Sequence, residues 1–594
     1  MKIYKLYILL LAAVATTSCE DLLNQENPNE SSVETYWGSL SDTEIVLNSV
    51  YNALYNHGVM SIEEMTLCSD MGYPGLYRNG NPTDETLASF YQHTYTKSTG
   101  DIEDKWSALY TGIFRANQVI EGLNTLIENE STTMNDEWYE QMGQARFFRG
   151  LFHFYLHSVF NNGEIIIFDA IPQTNTDYYK SVSDADVVQA FFRDDLIYAY
   201  EHLPANYGTT KDYRVARGAA ATVLGTTYLY SEEFDQALIY LTDVITNSDY
   251  GYELETDMDN MFTTAGEFNC ESIFEINYQS GIHPELTAWD ESSPTNRLGY
   301  TSTTQSFTLP CWIVDAYQTE EMNVDDDRNK ISYTDEDGII RDDSVRTLSL
   351  RGSAMVAVVQ DDNTSYYLEP ITSEVVSVSN TKSVGYYRKY SNWDIIDDES
   401  DMPDGQRKSG KNVTVNRLAE VYLMYAECML RKDTPNITEA LKYMNLIRDR
   451  WALQLLGTPG QNPSFSADKY YNGVTYTAET LFTQLQDYDR PLELSAEGHA
   501  LRFIDLRRWG ANYAKERYTK LSQQTYKLVE RVVPSGTTRW GTWVQLGAYD
   551  PDVDKYEYNE LVDYTAAAAN YTDTYAYWPI PLTEEQNNYN LYNK

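Results

Sequence analysis

The sequence predicts a mainly α protein, a helical-repeat scaffold that carries long loop-rich insertions and a few short strands. Two observations predict it. Apolar residues recur at helical spacing in separated blocks, mainly within 41–250 and 412–523. Residues 251–411 and 524–594, by contrast, are rich in Ser, Thr, Tyr, Asp and Gly and read as long loops. In 105–124, Trp106, Leu109, Tyr110, Ile113, Phe114 and Ile120 share a face, and in 144–160 Phe148, Leu151, Phe152, Tyr155 and Val159 do the same. Residues 216–246 hold two short helices around Ser231–Phe234. A second pair covers 414–431, striped by Leu418, Val421, Tyr422 and Tyr425, and 436–451, striped by Ala440, Leu441, Met444 and Ile447, with Thr434 or Asn436 as its cap. A further block runs from Ala478 to Trp509 with an interruption at Pro491. Ile273–Tyr278 and Ala354–Gln360 are the strand candidates. No Gly/Ser- or Pro-rich linker divides residues 19–594, so the blocks read as one domain.

Within 216–246, Leu224, Gly225, Tyr228, Phe234, Ala237 and Leu241 fall at relative positions 7, 8, 11, 17, 20 and 24 of a unit, and this pattern resembles the tetratricopeptide repeat. Gly225 and Ala237 are the small residues that let paired helices approach closely. Asp249 stands where that repeat ends on Pro.

Composition bounds the function. The 594 residues include 44 Lys and Arg against 89 Asp and Glu, a formal net charge of −45. Such a field repels nucleic acid and anionic membrane surfaces. It also disfavours polyanionic glycans unless local arginines override it. Tyrosine is in excess, with 51 Tyr against 18 Phe and 11 Trp. A phenol offers an apolar face and a hydroxyl, which suits a wet binding surface. Tyr110, Tyr155, Tyr228 and Tyr425 lie on helix stripes, however, and read as packing residues.

Residues 1–18 read as a lipoprotein signal peptide. Lys2 and Lys5 precede an apolar run from Tyr7 to Val14, too short to span a bilayer as a permanent helix, and Cys19 follows. Cys19 is the expected lipid attachment site, and Glu20-Asp21 suits an exported acidic tether. The remaining cysteines, Cys68, Cys270, Cys311 and Cys428, form no C-x-x-C pair, which argues against a zinc or redox motif. Cys428 reads as a core thiol, and one or two disulfides are compatible with export.

Eight segments then occur in order: Asp21-Leu22-Leu23 with Asn27-Pro28, Tyr36-Trp37 with the helix from Ser41 to Tyr55, WSALYTGIFRAN from Trp106, QARFFRGLFHFYLHSVF from Gln144, RLAEVYLMYAEC from Arg417, NLIRDR from Asn445, ELSAEGHALRFIDLRRW from Glu493, and Trp578-Pro579-Ile580-Pro581. In this order, behind a lipoprotein signal, they resemble the SusD/RagB family of Bacteroidetes outer-membrane lipoproteins along nearly the whole chain. The resemblance implies a tetratricopeptide-like scaffold on the cell surface, anchored to the outer membrane by lipid. It implies capture of an oligosaccharide, or in some members a peptide, and delivery to a SusC-like TonB-dependent transporter, with no catalysis and no cofactor.

Pyranose rings stack C–H faces on aromatic side chains and present hydroxyls to amides, carboxylates and guanidinium groups. Two loops have that content, in regions where the family places ligand residues. One contains Tyr73, Tyr77, Arg78 and Asn79; the other contains Trp289, Asp290, Asn296, Arg297 and Tyr300. Packing of Tyr77 or Trp289 into loop structure is the competing reading. Trp540 and Trp543 are a third candidate, for ligand or transporter.

Rival chemistries find weaker patterns. Glu420, Glu427, Glu497 and Asp505 suggest a glycosidase pair, which needs roughly 5–10 Å between carboxylates. Each lies near an arginine, Arg417, Arg431 or Arg502, and reads better as a helix tie. His153 and His157 are four apart but lack the intervening Glu of a zincin, and read as an exposed or interfacial pair. The acidic runs Asp325–Asp327, Asp335–Asp337 and Asp397–Asp404 read as solvated loops. Their hard oxygens suit an incidental Ca²⁺, although Tyr333 breaks EF-hand spacing. No phosphate loop, nucleophile elbow or dinucleotide fingerprint is present.

Overall fold

The computed structural model describes residues 37–74, 85–208, 213–278, 307–334, 340–376, 383–398, 401, 410–510, 512–550, 552 and 560–593. The helices that build the scaffold are α1 (Leu40–Ala53), α2 (Gly100–Glu128), α3 (Asp136–Val159), α4 (Ala185–His202), α5 (Arg217–Tyr230), α6 (Phe234–Thr246), α7 (Leu418–Arg431), α8 (Ile437–Arg450), α9 (Leu501–Arg508) and α10 (Tyr513–Ser522). Their packing is sequential, α2 on α3, α3 on α4, α5 on α6 and α7 on α8, with α6 also against α7. The protein is therefore mainly α, with helix pairs stacked as a repeat array.

Local chemistry explains the boundaries. Asn135 caps α3, its side chain accepting from Trp138 N. Asn436, rather than Thr434, caps α8 by accepting from Glu439 N at 3.1 Å. The α5–α6 pair closes where the spacing predicted, because a Cβ on Gly225 would lie 2.5 Å from Leu241 Cδ2. On α2, Trp106, Leu109 and Ile113 of the predicted face are buried and Tyr110 and Ile120 half-buried, whereas Phe114 is 36% exposed.

Three boundaries differ from expectation. Residues 413–417 form a strand, and α7 starts only at Leu418. Pro491 does not interrupt its helix. A π-turn at Leu485–Asp489 leads into Arg490–Glu493, where Pro491 sits in the first turn and needs no N–H partner. The break falls at 494–500, where Ala496, Gly498 and Ala500 take positive φ of 57°, 65° and 54°. In 350–360 only Val356–Ala357 is strand, because Leu350–Met355 is helical behind a Ser349 cap.

The strands are short. Besides the hairpin of Lys330–Thr334 with Ile340–Val345 and the pair Val356–Ala357 with Tyr386–Tyr387, they are β1 (Tyr73–Pro74), β2 (Ser272–Ile276), β3 (Phe307–Thr308), β4 (Val413–Arg417), β5 (Tyr526–Val532), β6 (Thr538–Leu546) and β7 (Glu560–Leu561). All the pairings are antiparallel, β1 with β3, β2 with β4, and β5 between β6 and β7. One buried apolar cluster extends from Leu40 to Leu591. Its last contribution comes from the C-terminal segment: Trp578 is fully buried, donates its backbone N–H to Val159 O, and stacks on Phe90 at 5.2 Å.

Candidate functional site

The base of the candidate loop face is built by β1 and β3. Tyr73 pairs with Thr308 and Pro74 with Phe307, so the last described residue before 75–84 lies beside the first described residue after 279–306. The β1 approach is tightly held. Tyr387 and Tyr564 hydroxyls donate to the carbonyls of Met71 and Gly72, at 2.7 and 3.0 Å, and Trp312 Nε1 donates to Asp70 O at 2.6 Å. The Asp70 carboxylate is fully buried and bridges Arg502 and Arg517, at 2.7 and 2.8 Å. Burial pushes its pKa up, but the two guanidinium groups overcome that and hold it at about 2.

Tyr73 is half-buried, its ring edge-on to Tyr91 at 5.2 Å. Cys19, Tyr77, Arg78, Asn79, Trp289, Asp290, Asn296, Arg297, Tyr300 and the Asp335–Asp337 run lie outside the described residues, as does the Trp540 side chain. Trp543 is half-buried on β6, where it pairs with Val529.

Three of the four carboxylates, Glu427, Glu497 and Asp505, are tied into buried ion pairs, but often with partners other than the sequence neighbours. Glu427 does pair with Arg431, at 3.0 Å, and more closely with Arg508, at 2.6 Å. Glu497 takes Arg417 at 2.6 Å and Lys389 at 2.5 Å, whereas Arg502 goes to Asp70. Arg417 turns from Glu420 toward Glu271, Glu493 and Glu497, because β4 carries it away from the helix face. Asp505 pairs with Arg490 and Arg508. Glu420 accepts from Asn416 at 2.8 Å, and burial raises its pKa to about 7.

A polar cavity of about 40 Å³ lies beside this network, with Glu267, Glu275, Lys389, Lys411 and Arg417 in its walls. Burial raises Glu267 to about 7 and lowers Lys389 to about 8. The space suits water, not a sugar ring, and ligand pockets are typically about 300–1,000 Å³.

The histidine pair is not exposed. Helix α3 is covered by α2 on one side and α4 on the other, so the face opposite Phe148 is also inside. His153 is fully buried, its Nδ1–H donating to Arg149 O at 2.8 Å, and Phe168 N–H points at its Nε2 from 3.4 Å. Both nitrogens are engaged, which suits a structural histidine rather than a metal ligand. His157 Nδ1–H donates to Gly163 O at 2.9 Å. Burial holds both pKa values near 4. Among the described residues no group of three or more His, Cys, Asp or Glu is placed to hold a metal. Asp326 and Asp327 instead pair with Arg328 and Lys330. No disulfide joins Cys68, Cys270, Cys311 and Cys428.

A stacked array of helix pairs, tied by buried ion pairs, defines the class of protein. The model described as "SusD family" matches residues 270–594, and one described as "Starch-binding associating with outer membrane" matches 21–229. The chain belongs to the SusD family. It is 20% identical over 541 residues to SusD-like protein P25 of Formosa agariphila, covering 86% of this chain and 90% of that one. Among solved structures, a SusD superfamily protein from Bacteroides vulgatus superposes with a TM-score of 0.66 at 21% identity, over 93% of this chain and 98% of that one. Surface glycan-binding protein A from Bacteroides fluxus superposes with a TM-score of 0.57 at 19% identity, over 80% and 91%.

Proposed function

We propose that this protein is a non-catalytic, lipid-anchored glycan-binding protein of the outer-membrane surface. It captures an oligosaccharide on the 73–79 and 289–300 loops and delivers it to a SusC-like TonB-dependent transporter. Cys19 carries the lipid, and residues 19–594 act as one unit. The observation that carries the reading is the β1–β3 pairing, which gives two aromatic- and amide-rich segments one common base in a SusD-family chain. Family membership and the glycan-binding name of the Bacteroides fluxus neighbour support a sugar as the ligand. The arginine-bound carboxylates and the small volume beside them support capture without cleavage. Stacking on aromatic faces gives affinity, and side-chain hydrogen bonds give selectivity.

Affinity electrophoresis on a panel of neutral glycans tests this. The wild-type chain is retarded on at least one glycan, and Tyr77, Trp289 and Tyr300 changed together to Ala abolish the retardation. Unchanged retention on every glycan would sink the site, and retention by peptides alone would make the ligand a peptide. Solubilised outer membranes should yield a complex with a TonB-dependent barrel. A transporter-free monomer there would refute the delivery step.

A further inference from the structure

A second cavity, of about 330 Å³, opens between α3, α4, α5, α9 and the C-terminal segment. Phe154, His157, Gln189, Tyr230, Arg507 and Tyr577 are among its lining residues. Its volume is at the small end of ligand pockets, enough for one sugar ring.

Its electrostatics are unusual for a chain of charge −45. Arg507 and Arg508 are consecutive, yet Arg508 pairs with Glu427 and Asp505 while Arg507 makes no ion pair among the described residues. Arg507 is held over the Tyr577 ring at 3.7 Å and donates to two backbone carbonyls, Ala576 O at 3.0 Å and Ser158 O at 2.6 Å. A guanidinium has five N–H donors, so three remain after these two bonds. Arg507 is half-buried; a partly desolvated cation without a counter-charge is costly, and an incoming anion relieves it. The same cavity offers neutral polar groups. His157 donates through Nδ1, which leaves Nε2 as an acceptor. The Gln189 amide and the Tyr230 hydroxyl make no hydrogen bond among the described residues. Burial, helped by Arg507 and Arg193, keeps the His157 imidazole neutral.

We propose that this cavity binds one carboxylate-bearing sugar ring, a uronic acid, with its carboxylate on Arg507 and its hydroxyls on His157, Gln189 and Tyr230. The site is separate from the loop face, and its occupancy does not depend on the loop-face reading. Its ligand is either a free uronic acid or the terminal ring of an oligouronide.

Calorimetry on the full mature chain with D-glucuronate, D-galacturonate and D-glucose tests the proposal. At least one uronate should bind tenfold or more tighter than glucose. Arg507→Met should erase that preference, and Gln189→Leu should weaken uronate binding several-fold. In NMR titrations of His157, saturation with uronate should move its pKa upward, because an anion favours imidazolium. A trimeric uronide that competes for the site identifies a chain end as ligand, and one that does not restricts the ligand to the monomer; both support the site. Equal binding of uronates and glucose, or no binding of either, overturns it. If Arg507→Met fails to fold by circular dichroism, an unchanged isotherm for Gln189→Leu with no movement of the His157 titration overturns it. The Tyr77, Trp289 and Tyr300 variant should leave the uronate isotherm intact, so failure here and failure at the loop face are read separately.

Discussion

The α2–α6 block and the α7–α9 region are held together by different chemistry. In the first, helices meet mainly through small residues and rings, with one buried carboxylate, Asp195, paired to Arg146 and Arg149 between α3 and α4. A Cβ on Gly112 would lie 2.4 Å from Phe152 Cε2, Gly225 admits Leu241, and Tyr228 stacks on Tyr240 with planes 4° apart. In the second, buried charges do the joining. Glu493 alone receives Arg417 at 2.9 Å, Arg450, the Trp451 indole at 2.8 Å, and the nearby Arg351 guanidinium at 3.6 Å. Apolar packing tolerates small adjustments, whereas a buried ion network fails when one member is removed. The charged region also anchors the loop base, through Arg502 and Arg517 on Asp70. The ion-paired region is thus also the one that holds the approach to β1.

That contrast can be broken by mutation and by pH. The largest effect is expected from Glu493→Ala, which takes one carboxylate partner from three guanidinium groups and leaves the Trp451 indole without its acceptor, and should destabilise the protein by about 3–5 kcal/mol, read by urea unfolding. Acid should then separate the two regions. His153 has a folded pKa of about 4 against about 6.5 unfolded. Its contribution is complete above pH 6.5 and is lost as pH falls toward 4, amounting to roughly 2 kcal/mol by pH 5. Glu427 and Glu493 are held at about 2 by their arginines, against the opposing push of burial. Their contribution is complete above about 4.5 and is lost only as pH falls toward 2. Hydrogen exchange should therefore rise in α3 between pH 6.5 and 4.5, before it rises in α7. A simultaneous rise would show that the regions are not distinct.

Gly225→Ala is a milder probe of the first region. Its new methyl meets the flexible end of Leu241, and a loss of about 1–3 kcal/mol is expected in thermal melts. Asn436→Ala should cost about 1 kcal/mol, since it removes only the cap of α8.

These chemistries also explain what could be read from the sequence. Helix stripes and the tetratricopeptide spacing are local periodicities, so α5 and α6 were legible closely and the bodies of α2 and α3 as well, although α3 begins eight residues before the predicted block. Ion partners were not. Arg417 and Glu493 are 76 residues apart, and Asp70 and Arg502 are 432 apart, and no short-range pattern encodes such pairings. The histidines misled for a related reason. Their spacing placed them opposite one apolar face, but α4 covers that second face as well, and only tertiary packing reveals it. Arg507 was missed because Arg507 and Arg508 look equivalent in sequence. Their difference lies in Glu427, 81 residues from Arg508. The loop bases were legible only as composition, and the β1–β3 pairing joins segments more than 230 residues apart.

The C-terminal Trp578 has a consequence for how the chain is made. It sits on Phe90 and Phe160 and hydrogen-bonds to the end of α3, so an early helix waits for a late residue. A ribosome emits α3 more than 400 residues before the tryptophan that seals it. At roughly 5–20 residues per second this interval is tens of seconds or longer. Throughout it the nascent chain lacks the residue that closes the end of α3. Premature termination just before Trp578 would release a nearly complete polypeptide with the end of α3 uncapped, a natural substrate for quality-control proteases.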